Sequence, residues 1–288
     1  MISIITPSFN QGRYIERTLQ SVLSQNISEL EYIVMDGGST DETLPILKRY
    51  SAELRFFSER DRGQTHAVNK ALTLSSGEII GWLNSDDVYY PDAIKKILEI
   101  FTQYPDIDIV YGKANHIDQQ DQIVESYPTE IWDKERLKET CFISQPAVFF
   151  RRGVIERVGL LNENLNFCMD YEYWLRLAAL GAKFFYFPEV LSGSRLYPET
   201  KTLSAPDQAI LETILMLQKQ FNIIPVNWLI TYAIVMVKSK TAYRMPEWRY
   251  VLAVVAMSII SAFRWNGFWQ GLKSCLTLPQ VFKIRFQR

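Results

Sequence analysis

Along its N-terminal third the chain repeats one alternation. An apolar run ends abruptly in a polar loop, and a segment of helical periodicity follows. The runs occupy residues 2–5, 31–35, 54–58 and 78–83. The periodic segments carry Ile15, Leu19, Val22 and Leu23, then Ala67, Val68, Ala71 and Leu72, then Ile94, Ile97, Leu98 and Phe101. Short apolar runs bounded by turn signals read as buried strands. Strands alternating with helices imply a parallel sheet covered on both faces. Such sheets bind ligands beyond the carboxyl ends of their strands. The loops at 6–10, 36–41 and 84–87 are therefore expected to converge on one crevice. Ser39 with Glu42 fits a capping box for the second helix, although Pro45 sits late for that start. Pro91 suits the first turn of the fourth helix.

Residues 105–200 are more mixed. DIDIVYG, AVFFRR and KFFYFPEV read as strands, and MDYEYWLRLAALG reads as a helix stopped by Gly181. The 288 residues exceed the usual domain size of about 100–200 residues, so an α/β domain with an appendage is expected. The net charge of -1 conceals a split. From residue 222 onward the only acid is Glu247, against nine Lys and Arg, which makes that segment +8 and the rest -9. An acidic body gives no support to nucleic-acid binding. The three cysteines are far apart and form neither a disulfide framework nor a CxxC site. His66 and His116 lack partners at zinc-site spacing. No basic stretch precedes ISIITPSF, so no secretory leader is expected.

The uncharged stretches at 220–237 and 250–263 fall short of the roughly 20 apolar residues a spanning helix needs. Trp228, Trp248, Trp265 and Trp269 alternate with basic residues, which fits a helical tail lying on a membrane surface. A subdomain packed on the body, or a homodimer contact, is the alternative. The expected setting is cytoplasmic, peripheral on the inner face of the membrane.

Several polar groups suit a nucleotide or metal site. Asp86 and Asp87 are adjacent at a strand end. Two charges about 4 Å apart repel by about 4 kcal/mol at an effective dielectric near 20. A solvated helix-capping turn relieves that, and so does a hard divalent cation such as Mg²⁺ or Mn²⁺. Asp36 stands before Gly37 and Gly38, as either a turn carboxylate or a reader of base or ribose. Arg60 and Arg62 flank Asp61 in a charged loop that suits solvent or phosphate. Asp170 opens a helix, as a cap or as a general base. No GxGxxG or GxxxxGK[ST] is present.

Five stretches in order, ITPSFNQGRYIERTLQSVLSQ, EYIVMDGGSTDET, SERDRGQTHAVNKAL, GEIIGWLNSDD and MDYEYWLRLA, resemble the family-two glycosyltransferases. The resemblance covers about residues 1–200. It implies the GT-A fold: a Rossmann-like, mostly parallel central sheet flanked by helices, here over residues 1–205; beyond the resemblance, residues 206–288 are expected to form the helical basic tail. It implies inverting transfer from a nucleotide-diphosphate sugar, of the uridine type, to a glycan or lipid-linked acceptor, as in surface polysaccharide or glycolipid synthesis. By the resemblance Thr6, Pro7, Ser8, Asp36, Asp61 and Arg62 hold the donor. The family's DxD metal motif falls on Asn84, Ser85 and Asp86, with Asn in place of the first Asp. Asp86 is then the ligand for Mg²⁺ or Mn²⁺, and Asn84, Ser85 and Asp87 contact the donor. Asp170 takes the place of the catalytic base, with Met169 where Glu often precedes it. RLYPETKT is similar to a later basic loop, with Tyr197 where His often stands; Arg195 and Lys201 are expected to close over the diphosphate. The neutral Asn84 also admits a catalytically silent sugar-nucleotide or partner-binding module.

Overall fold

The computed structural model describes residues 1–240 and 246–286. It divides into two units, residues 1–133 with 141–197, and residues 134–140 with those from 198 onward.

The first unit begins with β1 (Ile2–Ser8), α1 (Ile15–Leu23), β2 (Leu30–Asp36), α2 (Thr43–Arg49), β3 (Arg55–Ser58), α3 (Gln64–Leu74) and β4 (Ile79–Trp82). Next come β5 (Val88–Tyr89), α4 (Ala93–Gln103), β6 (Ile109–Ile117) and β7 (Ile123–Ser126). After α5 (Lys134–Glu139), which belongs to the second unit, follow β8 (Val148–Arg151), α6 (Gly153–Val158), α7 (Met169–Ala179) and β9 (Phe184–Arg195). The strands form one sheet in the order β3-β2-β1-β4-β8-β6-β9-β5, with β7 on β6. The β3-β2-β1-β4 half is parallel. Beyond it β8 runs antiparallel to both β4 and β6, β9 is parallel to β6, and β5 is antiparallel to β9.

Every residue of β1 is buried, as expected for a strand between two others with both faces covered. Helix α1 turns Ile15, Thr18, Leu19 and Val22 inward, the spacing that places them on one face. Ile2, Ile4, Leu19, Val34, Leu47, Ile94, Ile97 and Phe149 share the core beneath the sheet. The expected capping box does not form. Ser39 hydrogen-bonds to Asn10 and Asp36 instead, and α2 starts at Thr43, which leaves Pro45 in its first turn.

The second unit holds α5, α8 (Lys201–Ser204), α9 (Pro206–Phe221), α10 (Val226–Lys240) and α11 (Glu247–Phe286). Trp228 Nε1 donates to the Lys138 carbonyl at 3.2 Å, tying α5 to α10. Ile210, Ile214, Ile224, Leu229, Tyr232 and Ala262 form its core. Helix α11 is broken at Gly267, whose φ of 68° belongs to the left-handed region that glycine adopts freely. Arg244 and Arg288, counted above in the basic tail, lie outside the described residues.

Candidate active site

Because β1 to β4 are parallel, their carboxyl ends share one edge of the sheet. Ser8, Asp36 and Ser58 sit in lateral register there. Asp36 is buried, and its carboxylate accepts hydrogen bonds from Ser39 N–H (3.0 Å), Gly38 N–H (3.2 Å) and the hydroxyls of Ser58 (2.6 Å) and Ser39. Those donors fold the DGGS loop. Gly37 donates to the Ser8 carbonyl at 2.8 Å, and a Cβ on Gly37 would fall 2.8 Å from Asp61 Oδ2. The glycine thus lets Asp61 lie against the second loop, while Asp61 Oδ1 accepts from Gly63 N–H at 2.8 Å where α3 begins. Thr6 is fully buried, its hydroxyl 3.2 Å from that of Tyr32, and Pro7 lies beside it in β1. Ser8 is different: its buried hydroxyl has no hydrogen-bond partner. Arg62 is exposed and pairs with Glu163 at 2.6 Å.

The NSDD loop after β4 is fixed from several sides. Asn84 Oδ1 accepts from Gln64 Nε2 (2.7 Å) and Trp82 Nε1 (3.0 Å). Its Nδ2 donates to Gln145 Oε1 (2.8 Å) and Asp87 Oδ2 (3.2 Å). All four hydrogen-bonding positions of this amide are filled, so its oxygen is not left over for a metal or ribose. An aspartate here would lose both donations and set a carboxylate against Asp87, a physical reason for Asn at this position. Ser85 is buried, and its carbonyl accepts from the Thr18 hydroxyl at 2.9 Å. Asp87 is buried and accepts the Arg195 N–H at 2.8 Å. Burial first, and then the charge of Asp86, push its carboxyl up to about 8.

Asp86 alone of the pair is half-exposed. Its Oδ2 accepts from the Tyr197 hydroxyl at 2.8 Å, which in turn accepts from Gln11 Nε2 at 3.2 Å. Burial and then the Asp86 charge push the Tyr197 hydroxyl up, so it stays a donor.

Arg195 requires a correction. Its side chain is fully buried. The guanidinium donates to the carbonyls of Asp86 (2.7 Å) and Asp118 (2.6 Å), pairs with Asp121 and lies over the Tyr14 ring. A guanidinium engaged on every side inside the protein does not close over a diphosphate; it supports the Asp86 loop from beneath. Although burial alone would raise it, hydrogen bonds from Arg17 and Arg195 hold the Asp121 carboxyl below the usual range.

Asp170 lies in the first turn of α7, where Cys168 is the cap residue, and its Oδ1 accepts from Tyr171 N–H at 2.8 Å. After burial itself, its charge is the next cause raising the Cys141 thiol. The segment before α7 is bound to α3, by Thr65 to the Leu165 carbonyl (2.8 Å) and Asn69 to the Leu161 carbonyl (2.9 Å). The strand-end loops of Ser8, Asp36, Asp61 and Asn84–Asp87 are therefore interlocked, with α7 starting on a segment anchored to the same helix as Gln64. Gln64, Gln145 and Tyr197 went unassigned or half-assigned in the sequence, since isolated amides and a lone tyrosine have no spacing rule.

No group of three His, Cys, Asp or Glu side chains is poised to hold a metal among the described residues. The oxygen donor at the site is the carboxylate of Asp86, with Asp87 and Asn84 turned inward. That set fits a hard cation held by one carboxylate and completed by substrate phosphates, the common pattern for Mg²⁺.

The raised carboxyl of Asp87 makes stability pH-dependent. An unfolded aspartate titrates near 3.9, and Asp87 in the folded protein at about 8. The folded state therefore holds the extra proton between these values, and stability falls as pH rises from about 4 to about 8. Thermal midpoints measured across that range are expected to fall in the wild type and to fall less in Asp87→Asn. Parallel profiles would contradict the assignment.

Comparison with known proteins adds the family. The model of glycosyl transferase family 2 matches residues 3–159. Chondroitin synthase of Escherichia coli is 33% identical over 185 residues, which cover 63% of this chain and 27% of that protein. The chain thus matches about a quarter of that relative's length. A crystal structure of S. aureus TarS 1–349 in complex with UDP-GlcNAc superposes with a TM-score of 0.65 at 16% identity, covering 98% of this chain and 91% of that one. The mannosyltransferase PcManGT of Pyrobaculum calidifontis, in complex with GDP-Man and Mn²⁺, gives 0.60 at 17% identity, covering 100% and 88%. At these identities the structures speak for the fold, which is of the GT-A type. With a family match across more than half its length, the chain belongs to glycosyl transferase family 2.

Proposed function

We propose that the protein transfers a sugar from a nucleotide-diphosphate sugar to an acceptor hydroxyl with inversion at the anomeric carbon. The observation that carries this reading is the interlocking of four strand-end loops around a half-exposed Asp86, with the partnerless Ser8 hydroxyl on the same edge. An unpaired buried hydroxyl costs about 1–3 kcal/mol, a cost that a bound nucleotide removes. In this reading Ser8 and the loop that Asp36 folds receive the nucleotide, Asp61 walls the pocket, and exposed Arg62 reaches phosphate. Asp86 is the residue that would hold Mg²⁺ or Mn²⁺. When bound, the cation supplies neutralisation of the charge on the departing diphosphate. Asp170 accepts the proton of the acceptor hydroxyl, and the freed oxygen attacks the face opposite the leaving group. Likeness to chondroitin synthase and to TarS bound to UDP-GlcNAc supports a uridine-type donor and a glycan or lipid-linked acceptor of a surface polysaccharide or glycolipid. The basic tail keeps the protein at the cytoplasmic face of a membrane.

The fully satisfied, neutral Asn84 favours one competing reading, a silent module that binds a sugar nucleotide without turning it over. Donor consumption by the wild type excludes it.

Asp86→Ala tests the metal role. A ligand at a hundred times its dissociation constant stabilises by about 2.7 kcal/mol. Stabilisation by UDP that requires Mn²⁺ is expected in the wild type and is expected to vanish in Asp86→Ala. An unchanged Mn²⁺ titration contradicts the assignment.

A further inference from the structure

Helix α11 leaves outside large apolar residues that a helix in water would bury. Its arms, before and after Gly267, fold back on each other. A Cβ on Gly271 would come within 2.9 Å of the Ala262 carbonyl, and Phe282 packs on the cluster of Ala233, Val237 and Val254. Asn266 clamps the bend, exchanging hydrogen bonds with the Ile224 backbone and donating to Ser274 Oγ at 3.1 Å. The inward face is built largely of small and polar residues beside two apolar ones: Ser258, Ser261, Ala262 and Ser274 are buried with Val254 and Leu278, and Ser258 Oγ bonds to the Val254 carbonyl. Large apolar residues face outward. Trp269 is 75% and Leu276 74% exposed, and Trp248, Leu252, Ile260 and Phe268 are more than half exposed. By length and composition 247–282 is apolar enough to cross a membrane, yet the break at Gly267 makes it two shorter arms.

We propose that this hairpin seats its outer face in one leaflet of an anionic bilayer, lying in the plane of the interface. Water leaves an apolar stripe of this size unsatisfied, whereas the headgroup–acyl boundary accepts it. The charge pattern selects the occupant. Arg249, Arg264 and Lys273 are exposed along the same arms, with no acid there but Glu247. Each is drawn to the negative surface of an anionic leaflet. Arg264 and Lys273 flank the bend, so a spanning hairpin would have to carry both across the hydrocarbon. Tryptophans on this face suit the interfacial layer. The proposal names the surface behind the membrane association suggested above, and it is independent of the transfer chemistry.

Flotation of the full chain with liposomes, without any sugar nucleotide, tests it. The wild type is expected to float with phosphatidylcholine vesicles containing about one third phosphatidylglycerol and to be displaced by salt. Trp269→Glu with Leu276→Glu, both at exposed positions, is expected to lower the partition coefficient at least about tenfold, with an unchanged circular dichroism spectrum. Trp269→Phe should still float while losing the part of the fluorescence quenched by brominated lipid. Three outcomes overturn the proposal: equal flotation of the double Glu variant, resistance of the bound wild type to alkaline carbonate as for a spanning segment, or a wild-type dimer that the double Glu variant dissolves. Failure of sugar transfer leaves the flotation result untouched, and failure of flotation leaves the transfer reading standing.

Discussion

Asp170→Asn is expected to lower the rate of sugar transfer by at least about 10²- to 10⁴-fold, the usual worth of a positioned general base. The side chain keeps its shape, and an amide oxygen can still accept the Tyr171 N–H that Asp170 Oδ1 now accepts at 2.8 Å. The first turn of α7 should therefore persist. An amide cannot take the acceptor's proton, so the loss should fall on kcat, with donor affinity within about twofold of the wild type. Turnover measured alongside UDP binding separates the two. Near-normal turnover in this variant would remove Asp170 from the base role. A large loss of donor affinity would make it a binding residue instead.

Arg195→Ala is expected to cost about 1–3 kcal/mol of stability, the scale for leaving inward-facing carbonyls without their donor; Asp121 is partly exposed and keeps Arg17, so it adds little to that cost. The guanidinium is fully buried between Asp121 and the carbonyls of Asp86 and Asp118. Its removal strands Asp121 with only Arg17 and releases the turn that presents Asp86. Lysine should rescue little, because one ammonium cannot reproduce a fork directed at three oxygens. Denaturant unfolding reads the effect as a lower midpoint. A change under about 1 kcal/mol would show that the cluster contributes little beyond packing.

These two residues also mark where the sequence was legible and where it was not. The parallel half of the sheet followed from strand and helix periods, because β1 and β4 are buried throughout, β2 is buried from Tyr32 to Asp36, and α1 and α4 carry clear apolar stripes; β3, at the edge, is half-buried only at its two phenylalanines. The convergence of the loops then followed from topology alone. The antiparallel half was harder. β5 has two residues, and β7 has four that are all exposed, so neither carries a buried-strand pattern. Arg195 reads as a loop residue because RLYPETKT is similar to the family's later basic loop and the apolar run KFFYFPEV stops at Val190. In fact β9 continues through irregular register to Arg195, opposite Ile117, and that pairing carries its side chain inward. Nothing periodic distinguishes Asp86 from Asp87 in an irregular turn. Their opposite fates depend on distant partners, Tyr197 for one and Asn84 with Arg195 for the other. Likewise a run of apolar residues reads the same in water or lipid, and only the fold shows that α11 turns its serines inward.

The central claim is that the strand-end crevice binds a nucleotide-diphosphate sugar through a cation held at Asp86. Calorimetric titration of UDP into the wild-type protein, with Mn²⁺ and then with chelator, tests it most directly. Saturable one-to-one binding that disappears on chelation, and is absent from Asp86→Ala, is the predicted result. Binding of equal strength with and without the metal, or no binding of any nucleoside diphosphate, would contradict it.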